Sequence, residues 1–373
     1  MSLPTDPGDL TPANLTGLLQ SGGLPLGQVT DLGWERIGQD RGFGGVCARV
    51  TPVYRDAPPD APATLVLKFP NAPSTGSAYT TRLLADPDRR RQAWERARNE
   101  ILFYKEIAPA VSLRTPRLWF AAVQEDPPVV LLGLEDIRGA RAGDALALGS
   151  PAEVEDVLRQ IAKLHAAGAH LVRDPRLPQV WRNDPAAAAE RFARDGQAFR
   201  DRFAGRIPGS VLDLLDAYGP RVERIFTAML DEPATLIHAD LHLDNILFDA
   251  DGRALIIDWP GIGRGSGLME SSRFLYASLS TPDRRANADR LRTTYLESLA
   301  RHGGPEFNKH AADRGFRLGL LRWFHVITVW LGSVDPDTYS GRERGFVTQV
   351  FDNPFFFDAL IDHGGSRLVE EFA

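Results

Sequence analysis

His238-Ala239-Asp240-Leu241-His242-Leu243-Asp244-Asn245, followed by Ile256-Ile257-Asp258-Trp259-Pro260-Gly261, is the stretch on which the reading of this chain turns. It carries three oxygen-bearing side chains, Asp240, Asn245 and Asp258, within a run of strand and turn signals. Thr235-Leu236-Ile237 is an apolar run that reads as a buried strand ending at His238. Ile246-Leu247-Phe248 and Ala254-Leu255-Ile256-Ile257 are two more, separated by Asp249-Ala250-Asp251-Gly252, a strong hairpin signal. Such a hairpin sets Asn245 and Asp258 at the outer ends of its strands, with Asp240 on the loop that enters it.

This arrangement suits phosphoryl transfer, in which the protein mainly positions reactants and neutralises charge. One Asp accepts the proton of the attacking hydroxyl. An Asn on the same loop and an Asp beyond the next hairpin hold the Mg²⁺ that bridges the phosphates. Asp240, Asn245 and Asp258 fill these three roles. Asp and Asn are also ordinary turn residues, and Asp249 and Asp251 are read as such. His238 reads as structural, a buried imidazole bonded to loop backbone, and His242 as an exposed loop residue. The whole pattern, from His238 to Asp258, is far narrower than any of its parts.

On these residues the chain resembles the aminoglycoside phosphotransferase and choline kinase-like superfamily, and within it the ecdysteroid kinase-like and general phosphotransferase-enzyme groups. The resemblance covers roughly residues 30–335. It implies an α+β, protein-kinase-like fold with a small N-lobe, an antiparallel sheet plus one main helix, and a larger, mostly helical C-lobe. It implies ATP and Mg²⁺ as cofactors, a small-molecule hydroxyl as acceptor, Asp240 as base, and Asn245 and Asp258 on the metal. Ala239 stands where regulated protein kinases carry Arg, and no Ala-Pro-Glu follows Asp258. Both departures favour a small-molecule kinase over a protein kinase. The remaining alternative is a catalytically silent nucleotide-binding regulator of the same fold. Such proteins typically lose one of Lys68, Asp240, Asn245 or Asp258, and none is lost here.

Lysine occurs only at 68, 105, 163 and 309 in a chain otherwise rich in arginine. Lys68 lies in Thr64-Leu65-Val66-Leu67-Lys68-Phe69, an alternating apolar strand, where an unpaired ammonium would be costly. The resemblance pairs this lysine with the α- and β-phosphates and with a Glu on the following helix. Residues 89–107 read as that helix, and Glu100 is the expected partner, with Glu95 and Glu106 solvated. Strands at 29–37 and 46–54 flank a glycine-rich turn in which Gly42 and Gly44 are candidates for close backbone approach to phosphate. The apolar run 129–134 leads into Glu135-Asp136, which resembles the family's interlobe hinge. Leu134, Glu135 and Asp136 are the candidates there, holding adenine through backbone groups.

The 373 residues can bury a sizeable core, and 43% hydrophobic with 25% charged residues is a globular composition. A formal charge of −6 without a basic tract argues against a nucleic-acid partner. The single cysteine, Cys47, excludes an internal disulfide and suits a reducing compartment, so the cytoplasm is the expected location. The first ten residues lack a secretion-signal pattern, and no apolar run reaches the roughly 18 residues of a membrane span.

These readings divide the chain into an N-lobe, 1–134, and a C-lobe, 135–373. Ser150-Pro151-Ala152-Glu153 is a capping box with Pro at the first helical position. It opens a helix running to about residue 166. Further helices are expected at 186–204, 211–230, 270–279, 284–301 and 314–333. Trp323, Phe324 and Trp330 on the last one are read as core or as acceptor-pocket wall. Gly261, Gly263, Gly265 and Gly267 suggest a flexible loop around Arg264. Glu270 stands where many relatives have an Asp and is the candidate for that structural role.

Overall fold

The computed structural model describes residues 2–25, 27–38, 45–70, 86–181, 184–333, 335, 341–352 and 355–372. The chain falls into two compact units. One comprises Met1–Ala110, Arg114–Ala140 and Ile257–Gly261; the other comprises Val111–Leu113, Arg141–Ile256 and Ile262–Ala373. Gly42 and Gly44 lie outside the described residues.

The first unit is built on a five-stranded antiparallel sheet. Its strands are β1 (Gln28–Ile37), β2 (Val46–Arg55), β3 (Leu65–Phe69), β4 (Leu118–Gln124) and β5 (Val129–Glu135), in the order β1-β2-β3-β5-β4. β2 and β3 alternate buried with half-exposed residues, as period-two patterning requires. Val46, Ala48, Val50, Leu65, Leu67 and Phe69 form one core with Leu15, Leu18 and Leu19 of α1 (Pro12–Ser21). That helix was not anticipated, although Thr11-Pro12-Ala13-Asn14 makes a full capping box. The helix expected over 89–107 is α2 (Pro87–Leu102), which widens into a π turn at Phe103–Ile107.

The second unit is mostly helical. Its helices are α3 (Pro151–Leu171), α4 (Pro185–Phe203), α5 (Gly209–Tyr218), α6 (Val222–Leu230), α7 (Gly267–Ser278), α8 (Thr281–Arg301), α9 (Lys309–Ser333), α10 (Gly341–Asp352) and α11 (Phe355–Asp362). The single helix expected over 211–230 is two, α5 and α6. Pro220 offers no N–H to the preceding turn and interrupts the ladder through a 3₁₀ turn at Gly219–Arg221. Among the described residues no helix is long and apolar enough to cross a membrane.

Two small sheets carry the functional loops of this unit. β6 (Arg141–Ala142), β8 (Ile246–Phe248) and β9 (Ala254–Ile256) form one. The expected hairpin joins β8 to β9: the Asp249 carboxylate accepts from the N–H groups of Asp251 and Arg253, and Gly252 takes the left-handed conformation at φ 76°. β7 (Ala234–Ile237) pairs antiparallel with β10 (Gly263–Ser266). The glycine run read as a flexible loop is therefore a strand. Its glycines answer close packing, because a Cβ on Gly263 would sit 2.6 Å from Pro178 O and one on Gly265 2.4 Å from Ile237 Cδ1.

α3 packs on β7 at similarly close range. The Thr235 hydroxyl donates to His165 O at 2.5 Å, and a Cβ on Gly168 would fall 2.4 Å from Leu236 N. Gly168→Ala must therefore push the helix off the strand that leads into the Asp240 loop. A loss of ~1–3 kcal/mol is expected, the usual cost of overpacking. Urea unfolding measures it, and an unchanged midpoint would contradict this packing.

Candidate active site

The loop after β7 owes its shape to one buried carboxylate. Glu270, in the first turn of α7, accepts from His238 N at 3.0 Å and from Ala239 N at 2.7 Å. It also meets His165 Nε2 at 3.1 Å, and His165 Nδ1 meets the Tyr295 hydroxyl at 2.8 Å. Glu270, His165 and Tyr295 are almost fully buried. Ala239 sits at φ 68°, a left-handed conformation that a residue with a Cβ adopts at a cost. The two N–H bonds to Glu270 hold it there. Glu270 thus has the structural role suggested by its position. His238 is fully buried and accepts from Asp240 N at 3.3 Å through Nδ1, so it stabilises the loop as expected.

Asp240 follows directly, with a half-exposed side chain. Arg273, one turn beyond Glu270 on α7, reaches Asp240 Oδ1 at 3.7 Å, and His242 Nε2 lies 3.7 Å from Oδ2. Burial favours the neutral acid, but His242, Arg273 and His238 outweigh it and hold the carboxyl well below the usual carboxylate range. Arg273 was missed in the sequence. Its spacing from Glu270 on one helix is the signal that could have found it. His242, read as exposed, is half-buried between Asp240 and Asn245.

Asn245 is buried at the end of the 3₁₀ turn Leu243–Asn245. Its amide nitrogen lies 2.9 Å from Asp240 O, to which it donates, and 3.2 Å from His242 Nε2. No donor to its Oδ1 is found among the described residues, so that oxygen keeps its lone pairs. Asp244 has a part that its sequence position did not indicate. Its carboxylate accepts from Ala145 N at 2.9 Å and from Arg342 of α10, whose guanidinium also binds Asp144 at 2.6 Å. Arg342 and Asp144 thereby brace the loop between Asp240 and Asn245. Nothing local in the sequence joins residues so far apart.

In the first unit Lys68, Glu100 and Asp258 come together. Lys68 Nζ donates to Glu100 at 2.7 and 2.9 Å and also to Asp258 Oδ1. The expected Lys68–Glu100 pair is thus formed. Burial opposes the ammonium, but Asp258 and Glu100 outweigh it and hold Lys68 above its ordinary range. The same burial raises the Glu100 carboxyl. One cation facing two carboxylates leaves surplus negative charge, and the carboxylate of Asp258 is a hard oxygen donor. Both features fit a divalent cation such as Mg²⁺.

Asp258 is placed by its neighbour. Trp259 is fully buried, stacks on Phe103 with ring centroids 3.7 Å apart, and donates its N–H to Glu100 at 3.1 Å. Those contacts tie residues 257–261 into the first unit, and Asp258 itself adopts φ 67°. Across β2, Cys47 pairs in register with Lys68, and burial pushes its thiol up to about 11.

The three hinge candidates are firmly held. Leu134 is buried and pairs with Val66 and Leu118. Glu135 exchanges bonds with Arg117: its N–H donates to Arg117 O at 2.8 Å, and its carboxylate accepts from Arg117 N at 3.0 Å. The Asp136 carboxylate accepts from Arg49 Nε and from the Thr64 hydroxyl, both at 2.8 Å. Two of the three C-lobe aromatics fall in the core. Trp323 packs edge-to-face on Phe356, and Phe324 against Tyr218.

Comparison with known proteins bears on the fold and the family. No curated protein matches the chain. Among solved structures, a variant aminoglycoside 2'-phosphotransferase in its GDP complex is 16% identical at a TM-score of 0.54, covering 95% of this chain and 100% of that one. Choline kinase from Cryptosporidium parvum Iowa II is 13% identical at a TM-score of 0.51, covering 89% and 91%. A spectinomycin phosphotransferase in complex with ADP and spectinomycin is 12% identical at a TM-score of 0.51, covering 98% and 99%. At these identities the likeness carries the fold, which is α+β and protein-kinase-like. The family model described as the phosphotransferase enzyme family matches residues 54–307, more than half of the sequence. The chain belongs to the phosphotransferase enzyme family.

Proposed function

We propose that this phosphotransferase is an ATP- and Mg²⁺-dependent kinase that moves the γ-phosphoryl group to a hydroxyl of a small molecule, with Asp240 as catalytic base. The observation that carries the reading is the setting of Asp240: half exposed, within 3.7 Å of Arg273 and His242, and held on a loop whose backbone is fixed by Glu270. A carboxylate so placed can orient a hydroxyl and take its proton. The alcohol oxygen forms its bond to the γ-phosphorus as the bond to the β,γ-bridging oxygen breaks. The hydroxyl proton passes to Asp240, and ADP leaves with the bridging electron pair.

In this reading residues 1–134 form the nucleotide-binding lobe, and 135–373 carry the hinge, the catalytic loop, the metal site and the helical acceptor-binding region. Lys68 exchanges its bond to Asp258 for one to the α- and β-phosphates, while Glu100 keeps its ammonium in place. The backbone at Gly42 and Gly44 approaches phosphate, and that of Leu134, Glu135 and Asp136 flanks adenine. Asn245 Oδ1 and the Asp258 carboxylate are the oxygen donors for Mg²⁺, which when bound neutralises charge on the transferring phosphate.

Asp240→Asn should lower kcat by at least ~10²-fold while leaving nucleotide affinity little changed. ADP release across a panel of hydroxyl compounds and titration calorimetry with Mg-ATP measure the two quantities. Turnover above half that of wild type would remove Asp240 from its role.

Because Asp240 is depressed, its conjugate base is present above an ordinary carboxylate pKa and is lost only on acidification below it. The acid limb of kcat/KM should therefore lie below about pH 4. Arg273→Gln should shift that limb upward. A limb from Asp240 above about pH 6 in wild type would contradict the electrostatics described.

Asp258→Ala should abolish the thermal stabilisation given by Mg-ATP, and Asn245→Ala should weaken it less. Equal shifts for wild type and Asp258→Ala would exclude Asp258 as a metal ligand.

A further inference from the structure

Two arginines of the second unit, on α7 and α9, are incompletely matched by carboxylate. Arg273 of α7 has Asp240 as its ion-pair partner, and only at 3.7 Å. Further along, Arg322 of α9 has no ion pair or hydrogen bond among the described residues, and its buried Nε lacks an acceptor. α7 and α9 cross where a Cβ on Gly319 would touch Ser272 Cβ at 2.6 Å, and the Ser272 hydroxyl donates to Phe316 O at 2.6 Å. Arg273 follows Ser272, and Arg322 lies one turn beyond Gly319, so the two arginines flank one helix crossing, near enough for the charge of Arg273 to act on Arg322.

The surroundings of Arg322 are shaped rather than solvated. Its guanidinium lies over the Trp181 ring at 4.4 Å, a cation–π contact that holds the planar group in one orientation. Trp181 takes a left-handed backbone at φ 61°, rare for a bulky residue. The neighbouring Tyr218 hydroxyl and His325 Nδ1 are also buried without partners. Burial, then the nearby charge of Arg273, pulls Arg322 down to about 9, still protonated at neutral pH. Burial, with Arg322 and Arg191, pulls His325 down to about 3, so it adds no charge. Two other partly buried arginines, by contrast, are matched by carboxylates: Arg342 has Asp144 and Asp244, and Arg314 has Glu232. A half-buried guanidinium without an anion is costly, and a ligand anion relieves that cost.

We propose that the phosphoryl acceptor is an anionic alcohol, whose carboxylate or phosphate head pairs with Arg322 and Arg273 while its hydroxyl meets Asp240. This rests on Asp240 being the base of the transfer. A bidentate guanidinium–oxyanion pair fixes both distance and orientation. Arg273, between the head group and Asp240, serves both. Such a site selects against cationic alcohols, because an ammonium would face two guanidinium groups.

The test uses matched acceptors: glycerol, glycerate, glycerol phosphate and aminopropanediol, and the same four head groups on an ω-hydroxyoctyl chain. ADP release is measured with each. A carboxylate or phosphate member should exceed its neutral and ammonium counterparts in kcat/KM by at least about tenfold, and which anion wins identifies the head group. Arg322→Gln should erase that preference while leaving the neutral alcohol within about twofold, and Arg322→Lys should restore it in part. Preference for a neutral or ammonium member, or an unchanged ranking in Arg322→Gln, overturns the proposal. A binding arm separates it from the kinase reading. In Asp240→Asn the anionic members should still raise Tm, and the added Arg322→Gln change should abolish the rise. An Arg322-dependent rise without ADP release from any member defeats the kinase reading and leaves the anion site standing. Neither ADP release nor a rise defeats the anion site.

Discussion

A buried carboxylate that must be fully bonded organises the second unit. Glu270 takes the N–H groups of His238 and Ala239 and the imidazole of His165, and His165 is bonded to Tyr295. Three elements therefore meet at one side chain, α3, the end of β7 and α7, and α8 joins them through His165. A carboxyl group in the interior is stable only when its oxygens are hydrogen-bonded, so none of these elements can move without leaving a buried oxygen unpaired. The same bonds fix Ala239 in its left-handed conformation and set the direction in which Asp240 leaves the loop. A structural bond and a chemical orientation are here one feature.

The first unit depends on the opposite sign of charge. Lys68 is buried by its strand and accepted by two carboxylates, and Glu100 also takes the N–H of Trp259. The ion pair and the Phe103–Trp259 stack together dock a segment from late in the sequence onto a sheet from its beginning. The hydrophobic anchor lies directly after the functional carboxylate. Asp258 can therefore sit at a positive φ without help from a regular element.

Fold and acceptor chemistry are separable in this protein. The protein-kinase-like scaffold is shared with structures whose sequences are barely alike, and such a scaffold by itself says little about substrate. The arginines of the second unit differ in how far they are already paired. Arg342 is consumed by Asp144 and Asp244 and braces the loop. Arg273 is half committed, and Arg322 is held by an aromatic ring rather than a carboxylate.

The sequence by itself determined the candidate site residues and most of the elements that carry them. The β8–β9 hairpin, the Lys68 strand, the Glu100 helix and the Ser150 capping box were legible because turn chemistry, period-two alternation and capping act within a few residues. The two halves of the 211–230 helix were not separated, although Pro220 was in plain view, because the apolar period continues through it. Only the tertiary structure made β10 a strand, since its glycines answer the approach of Pro178 and Ile237 from other parts of the chain. Only the tertiary structure brought Arg342 to Asp244, 98 residues away, and Arg322 toward Arg273. Charge pairing across such separations has no period and no local signature. It exists only once helices have crossed, and so the candidate site residues could be read from the chain while their long-range charged neighbours could not.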